Sequence, residues 1–380
     1  TVLANTRLGL TVCYFSQLAR VPRHHLVITA DVDRSGGGEP RSCADMASKE
    51  PLLSSGTPVV QSLQGRFLSE AFYREKLAGF RKYDPGLWKS TLTVNMSPFM
   101  AIPFSILICF TLALVLLGKA FPPMAPFLAL GPQVHTVLGA ALSFIMVFRT
   151  NTAYSRWWEA RLLWGVVNNT TRSMVCRAPS MMKNEAAFTQ LVTELMAFAV
   201  CLKNHLRGVK TRPEELGAML PYALIVTLAE SANPPLAAIQ AMASTVRSSI
   251  KTESPADAAL ANASFLQLST ALDALANTVG ACERVKNTPT PFGYVAALRG
   301  FLLLWLFTMP FTLIGTYGVV AVPAMALVGF LFLNLEMMAM EIEQPFGDDA
   351  DDLPLEEYCL GIERVCVDFV KRAPASHAFS

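Results

Sequence analysis

Apolar residues in this chain gather into long unbroken tracts rather than alternating with polar ones. The tracts lie at 98–117, 129–148 and 300–340, and the last is long enough for two membrane crossings. Crossing the hydrocarbon core of a bilayer takes ~20 residues of helix. The predicted spans are therefore 98–117, 129–148, 300–319 and 323–340. Pro103 and Pro310 fall inside spans, where neighbouring helices can satisfy the carbonyls they free. The tract 129–148 has an unusual continuation. ALGPQVHTVLGAALSFIMVF runs into RTNTAYSRWWEAR with no helix breaker between them. The second half cannot lie in lipid, because Arg149, Arg156 and Arg161 would each be costly there. One helix is expected to pass from membrane to water near Phe148 and Arg149.

Between the second and third spans the pattern changes to a helical period. Leu191, Leu195, Phe198 and Leu202 share one face, and Leu268, Leu272, Leu275, Val279 and Cys282 share another. Pro213, Pro221, Pro234–Pro235 and Pro255 divide the helices. The stretch 149–293 thus reads as a soluble helical body, joined by 341–372, in which a helix resumes near Leu355. Residues 1–65 are expected to lie outside the packed fold. They are free of acid up to residue 30, carry Arg7, Arg20 and Arg23, and then turn rich in Ser, Gly and Pro. That is the composition of an organelle transit peptide, and equally of a disordered tail. The span-bearing domain is 66–373, with a short amphipathic helix expected within 66–90 and a frayed tail at 374–380.

Charge orients this plan. Arg66, Arg74, Lys76, Arg81, Lys82 and Lys89 precede the first span, and only Lys119 lies between the first and second. Arg149, Arg156, Arg161, Arg172 and Arg177 follow the second, and the third and fourth are joined without a charge. The positive-inside rule puts the N-terminus, the body and the C-terminus on one side. Of the 380 residues, 52% are hydrophobic and only 16% charged, against a usual charged share of roughly 25%. The fold class is an all-α membrane protein with four transmembrane helices and a helical soluble body. The net charge of +2 comes with no basic run interleaved with aromatics, so nothing points to nucleic acid. The eight cysteines are scattered without CxxC spacing, which suggests neither a disulfide framework nor a zinc site.

Candidate chemistry begins on the second span. Thr136, Ala140, Phe144 and Phe148 recur at i+4 and share a face. Copies gathered around an axis would make aromatic rings that dewet and gate a pore. Aromatic stripes at this spacing more commonly pack on neighbouring helices. Arg149 is the next residue; at a pore mouth it would attract anions, whereas interface arginines commonly snorkel. Trp157 and Trp158 suit an interfacial belt, and Arg156, Glu159 and Arg161 suit ion pairs along the helix. His135 stands alone near the outer end of its span. Glu336 lies late in the fourth span, where a carboxylate is either functional or close enough to water to be ordinary. The acidic cluster Asp348, Asp349, Asp351 and Asp352, with Glu341 and Gln344, could bind a hard cation through oxygens, or be a solvated turn. No catalytic triad, carboxylate pair or phosphate loop stands out, so an enzyme is not expected.

Three motifs resemble the bestrophin family: FRTNTAYSRWWEARLLWGVVNNTTRS at 148–173, CERVKNTPTPFGY at 282–294 and EIEQPFGDDADDLPLEEYC at 341–359. Their order around four spans matches, and the resemblance covers roughly 66–370. The LPLEEYC ending and the transit-like N-terminus resemble the plant and algal thylakoid chloride-channel branch. The resemblance implies a homopentamer around one central pore in a thylakoid membrane, with another organelle or the plasma membrane as alternatives. It implies passive conduction of chloride, and of bicarbonate or nitrate, with membrane lipid around it. Ala140, Phe144 and Phe148 would be the pore neck, Ala140 making the outer ring wider than the family's usual bulkier residue. It also implies a calcium position at Glu341, Gln344, Asp349 and Asp352, although no cofactor is required in the branch that the chain resembles. Two rival readings are a bicarbonate conduit on the same fold and a non-conducting membrane scaffold.

Overall fold

A single helix of 49 residues, Gln133–Met181, sets the dimensions of the molecule. At 1.5 Å per residue it is about 75 Å long, more than twice the ~30 Å of a bilayer core. The rest is arranged along it. The computed structural model describes residues 98–124, 130–182, 185–216, 220–250, 258–349 and 351–372. The expected N-terminal segment 1–65, the helix at 66–90 and the tail 374–380 lie outside the described residues.

The helices run in the order α1 Pro98–Ala120, α2 Gln133–Met181, α3 Glu185–Arg207, α4 Pro213–Leu216, α5 Tyr222–Glu230, α6 Pro234–Ser249, α7 Ala258–Asn287, α8 Phe292–Tyr317, α9 Ala321–Ile342 and α10 Leu355–Arg372. Short 3-10 turns occupy Pro122–Met124 and Gly318–Val320. Prolines stand where the helices begin. Pro132, Pro221 and Pro291 precede α2, α5 and α8, and Pro213 and Pro234 open α4 and α6. Asn233 caps α6 by accepting from the Leu236 N–H at 3.3 Å. The predicted third span, 300–319, falls on a longer helix. Its helix starts at Phe292 and ends at Tyr317, because Gly318 takes a φ of 54° that turns the chain into α9.

Two apolar cores divide the molecule along α2. Leu107 of α1, Leu142 and Met146 of α2, Leu302 and Trp305 of α8, and Met325 and Leu333 of α9 form the first. Trp164 and Val167 of α2, Phe188 and Phe198 of α3, Met242 of α6, Leu275 of α7 and Cys366 of α10 belong to the second. The close approaches in the first core need small residues. A Cβ on Gly329 would come within 2.7 Å of Leu107 Cδ2, and one on Gly139 within 3.1 Å of the Trp305 ring. At the far end of α2, His135 and Thr308 are bonded at 2.8 Å and Trp305 Nε1 donates to the His135 carbonyl at 3.2 Å.

Length and apolarity alone would also admit α3 as a membrane span. Its surroundings exclude it. Protein buries 72% of its most apolar stretch, against 28% for α1 and 22% for α2. A helix that is covered all round is a core helix, and α3 carries Glu194 and Lys203, both buried. The predicted crossings fall on α1, the first part of α2, α8 and α9. They show the opposite pattern, with Ile102, Ile106, Val137, Leu304 and Leu327 all exposed. The helical spacings expected in the body are the buried faces of α3 and α7. Burial pushes the thiols of Cys201, Cys282, Cys359 and Cys366 up to about 12, so they pack as small protonated apolar groups.

Glu194 lies where α3 meets α6. Its Oε1 accepts from Thr245 at 2.8 Å and Gln190 at 3.0 Å. Burial raises its carboxyl above the usual range, and those two bonds offset this only in part. The folded protein thus keeps a proton that the unfolded chain releases above about 4.5. Stability contributed at this site falls as pH rises through that window. Glu194→Gln is therefore expected to raise the melting temperature in detergent at pH 8 and to leave it nearly unchanged at pH 4. Gly329→Val is expected to destabilise by about 1–3 kcal/mol through overpacking against Leu107, read as a lower melting temperature.

Candidate functional site

The α2 stripe follows from helical geometry. Ala140, Phe144 and Phe148 are one turn apart and all exposed. Phe144 is 64% and Phe148 51% exposed, and their rings meet edge to face at 4.7 Å with an interplanar angle of 87°. They pack on each other and not into the bundle of their own subunit. The opposite face of α2 carries Leu142, Met146, Ala153, Ala160 and Trp164, all buried. Outside the span the exposed side of α2 continues as Tyr154, Trp158, Leu162 and Val166. Such a line of apolar side chains costs free energy in water unless something covers it.

Arg149 departs from its expected place at a pore mouth. It is completely buried. The step of about 100° between successive helix residues puts Phe148 outward and Arg149 underneath. Arg149 Nη2 donates to Glu343 Oε2 at 2.7 Å, and its Nε lies 3.6 Å from Glu336 Oε2. Glu336 accepts from Arg299 Nε at 2.7 Å through its other oxygen. Glu343 also takes the Thr290 N–H at 3.1 Å. Burial opposes its charge, yet the bonds from Arg149 and Thr290 hold its carboxyl below the usual range. The guanidinium is held inside the fold beside two carboxylates, with its Nε and Nη1 making no hydrogen bond, and its burial keeps it from a passing ion.

Arg156 sits two turns further along. It donates to the carbonyls of Val285 at 2.6 Å, Thr288 at 2.5 Å and Glu343 at 3.2 Å. These are carbonyls at the ends of α7 and α9, which lack helical partners. One planar fork thus joins the end of a body helix to the end of a span. The ion pairs expected along α2 do not form among its own residues. Glu159 instead meets Arg284 at 2.5 Å, and Arg161 lies 5.1 Å over the Tyr358 ring. Trp157 and Trp158 stack with Tyr154, and Trp157 Nε1 donates to the Asp351 carbonyl at 3.1 Å. Trp157 therefore anchors the acidic turn rather than serving only as a membrane belt.

The turn itself is closed internally. Asp352 is buried, and its Oδ2 accepts from the Asp349 N–H at 2.7 Å. Asp348 pairs with Arg207 at 3.1 Å, and Arg207 also forms a two-pronged pair with Glu356. Of the residues expected at a calcium position, Gln344 and Asp349 are exposed and Glu341 is partly buried. No group of three or more His, Cys, Asp or Glu side chains that could hold a metal gathers among the described residues. The Asp352 Oδ1 is buried without a hydrogen-bond partner.

Sequence reading missed Arg299 and Glu343 as members of the ionic cluster. Their signal was available as charges at the membrane-proximal ends of the third and fourth spans, where an unpaired charge is expensive.

Comparisons with known proteins point one way. A family model described as Bacterial/Fungal Bestrophin protein matches residues 83–368. A voltage-dependent anion channel-forming protein of Synechocystis sp. is 31% identical over 302 residues, covering 76% of this chain and 94% of that one. Another from Nostoc sp. is 32% identical over 253 residues, covering 64% and 80%. The crystal structure of a variant of a bacterial bestrophin homologue from Klebsiella pneumoniae is 25% identical with a TM-score of 0.64, covering 71% of this chain and 98% of that one.

Arg156→Lys keeps the charge but loses the fork. It is expected to lower unfolding free energy by about 2 kcal/mol, the scale of a pair of charge-assisted hydrogen bonds, read as a reduced melting temperature in detergent.

Proposed function

The chain belongs to the bestrophin family, whose members are ion channels and not enzymes, and from that premise we propose a passive anion channel whose neck is formed by Phe144 and Phe148. The observation that carries this reading is the exposed phenylalanine pair on a crossing helix, turned away from its own bundle. In a ring of subunits these side chains face the axis. A constriction of aromatic rings strips part of an ion's water and presents the positive ring edge to an anion. Ala140 makes a wider ring one turn further out.

The assembly is a homopentamer around the pore. Its support is the exposed line Tyr154, Trp158, Leu162 and Val166 on α2 outside the lipid, which a neighbouring copy covers; the number five comes from the family resemblance. Chloride is the proposed permeant ion, with bicarbonate and nitrate conducted by the same route. Chloride entering down its gradient offsets separated charge and converts membrane voltage into a concentration difference. The acid-free, arginine-bearing residues 1–30 support delivery to an organelle, and a thylakoid membrane is the proposed site. The relatives named above are bacterial.

Purified protein in a planar bilayer under a chloride gradient is expected to pass current that reverses near the anion equilibrium potential. Reversal near the cation potential, or no current, would reject the channel reading. Mixed chloride and bicarbonate solutions give the relative permeability that separates chloride duty from carbon supply. Phe148→Ala is expected to widen the neck and to raise single-channel conductance by about two-fold or more; unchanged conductance removes Phe148 from the constriction. Light-scattering mass in detergent is expected to correspond to five chains.

A further inference from the structure

Arg149 occupies a peculiar position. On the buried face of α2, Leu142 and Met146 belong to the core between the spans, and Ala160 and Trp164 to the core of the body. Arg149 falls between them on the same face, fully buried. Taking a guanidinium out of water there costs several kcal/mol unless it is paired. The compensating charges come from other helices, and Arg149 Nε and Nη1 make no hydrogen bond of their own. Glu343 and Glu336 compensate Arg149, and Arg299 compensates the second charge of the pair. Two cations and two carboxylates close the cluster, and α2, α8 and α9 all contribute to it.

This cluster bears on the neck through rotation of α2. Phe144 and Phe148 are largely exposed and lie outside the apolar core that would otherwise aim them. Apolar burial on the opposite face is non-directional and tolerates slip. A charge-assisted hydrogen bond of 2.7 Å is directional. Fixing the Arg149 side chain fixes the direction of the adjacent Phe148 and of Phe144 one turn before it. We propose that Arg149 is a positioning residue for the pore neck: its buried ion pairs with Glu343 and Glu336 set the rotation of α2 that presents Phe144 and Phe148 to the permeating ion. This rests on the neck reading of those two phenylalanines.

The test compares Arg149→Gln with Glu343→Gln in the full chain. A charge that attracted ions directly would act with opposite signs, the first variant lowering anion-over-cation permeability and the second raising it. A positioning pair moves permeability in the same direction whichever partner is removed. A second readout needs no current. Asn151→Cys on the exposed face and Ala153→Cys on the buried face are labelled with a thiol reagent after Cys13, Cys43, Cys109 and Cys176 are replaced by alanine. Ala153→Cys is expected to be protected in the parent and to lose about ten-fold or more of that protection in either Gln variant, as local opening exposes it. If Arg149→Gln fails to assemble, Arg149→Lys and Glu343→Asp are compared in the same way, since each keeps its charge and loses the geometry. Opposite-signed permeability shifts, or unchanged labelling, overturn the proposal. Lost protection with unaltered conductance in Phe148→Ala upholds the positioning role and rejects the neck reading.

Discussion

A buried positive charge at the level where lipid gives way to water constrains everything around it. Arg149 cannot be left alone there, and the groups that satisfy it come from far along the chain. Glu343 is 194 residues away in sequence. Satisfying Arg149 requires the end of α9 to stand beside the middle of α2, and Arg299 brings α8 to the same place. Arg156 adds the end of α7 through backbone carbonyls alone. Four helices that could otherwise slide past one another thus meet at one level. The apolar cores above and below supply most of the burial. The ionic junction supplies the register between them.

The division of labour on α2 follows. One face is buried along its whole length, first among spans and then among body helices. The other face stays exposed in lipid and in water alike. A helix that keeps the same exposed side along its length has one continuous surface that the rest of the chain leaves uncovered. The acidic turn is attached to this helix as well, through Trp157 and the Asp351 carbonyl. Movement of α2 would be felt by the turn, and the reverse.

Much of this was legible in the residues because it was periodic or local. The helices that carry the four predicted spans follow from uninterrupted apolar tracts. The faces of α3 and α7 follow from leucines at helical spacing, and helix starts follow from prolines. The outward stripe of Ala140, Phe144 and Phe148 needed only a wheel. What could not be read was which charges compensate which. Arg149 looked like a charge facing water because the chain carries no information about a partner in another helix. The same limit hid the pairing of Arg207 with Asp348 and Glu356, which ties the acidic turn and the start of α10 to the end of α3. The start of α8 at Phe292 was not read either, because the helix begins before the apolar tract that it continues into.

Finally, α3 has a consequence for how the protein is made. Its central stretch is apolar enough to be read as a membrane segment, yet it belongs in the aqueous body. As it leaves the ribosome, α6, α7 and α10 do not yet exist to cover it. The insertion machinery meets a bare hydrophobic helix just after a genuine one. Glu194 is then the residue that distinguishes it, because an ionisable group near the middle of a helix makes partition into lipid unfavourable by about 2.5–3.5 kcal/mol, and Lys203 adds a charge nearer the helix end. In the finished protein one of them is an awkward buried acid. During synthesis the same residue keeps the topology from gaining a span and inverting all that follows.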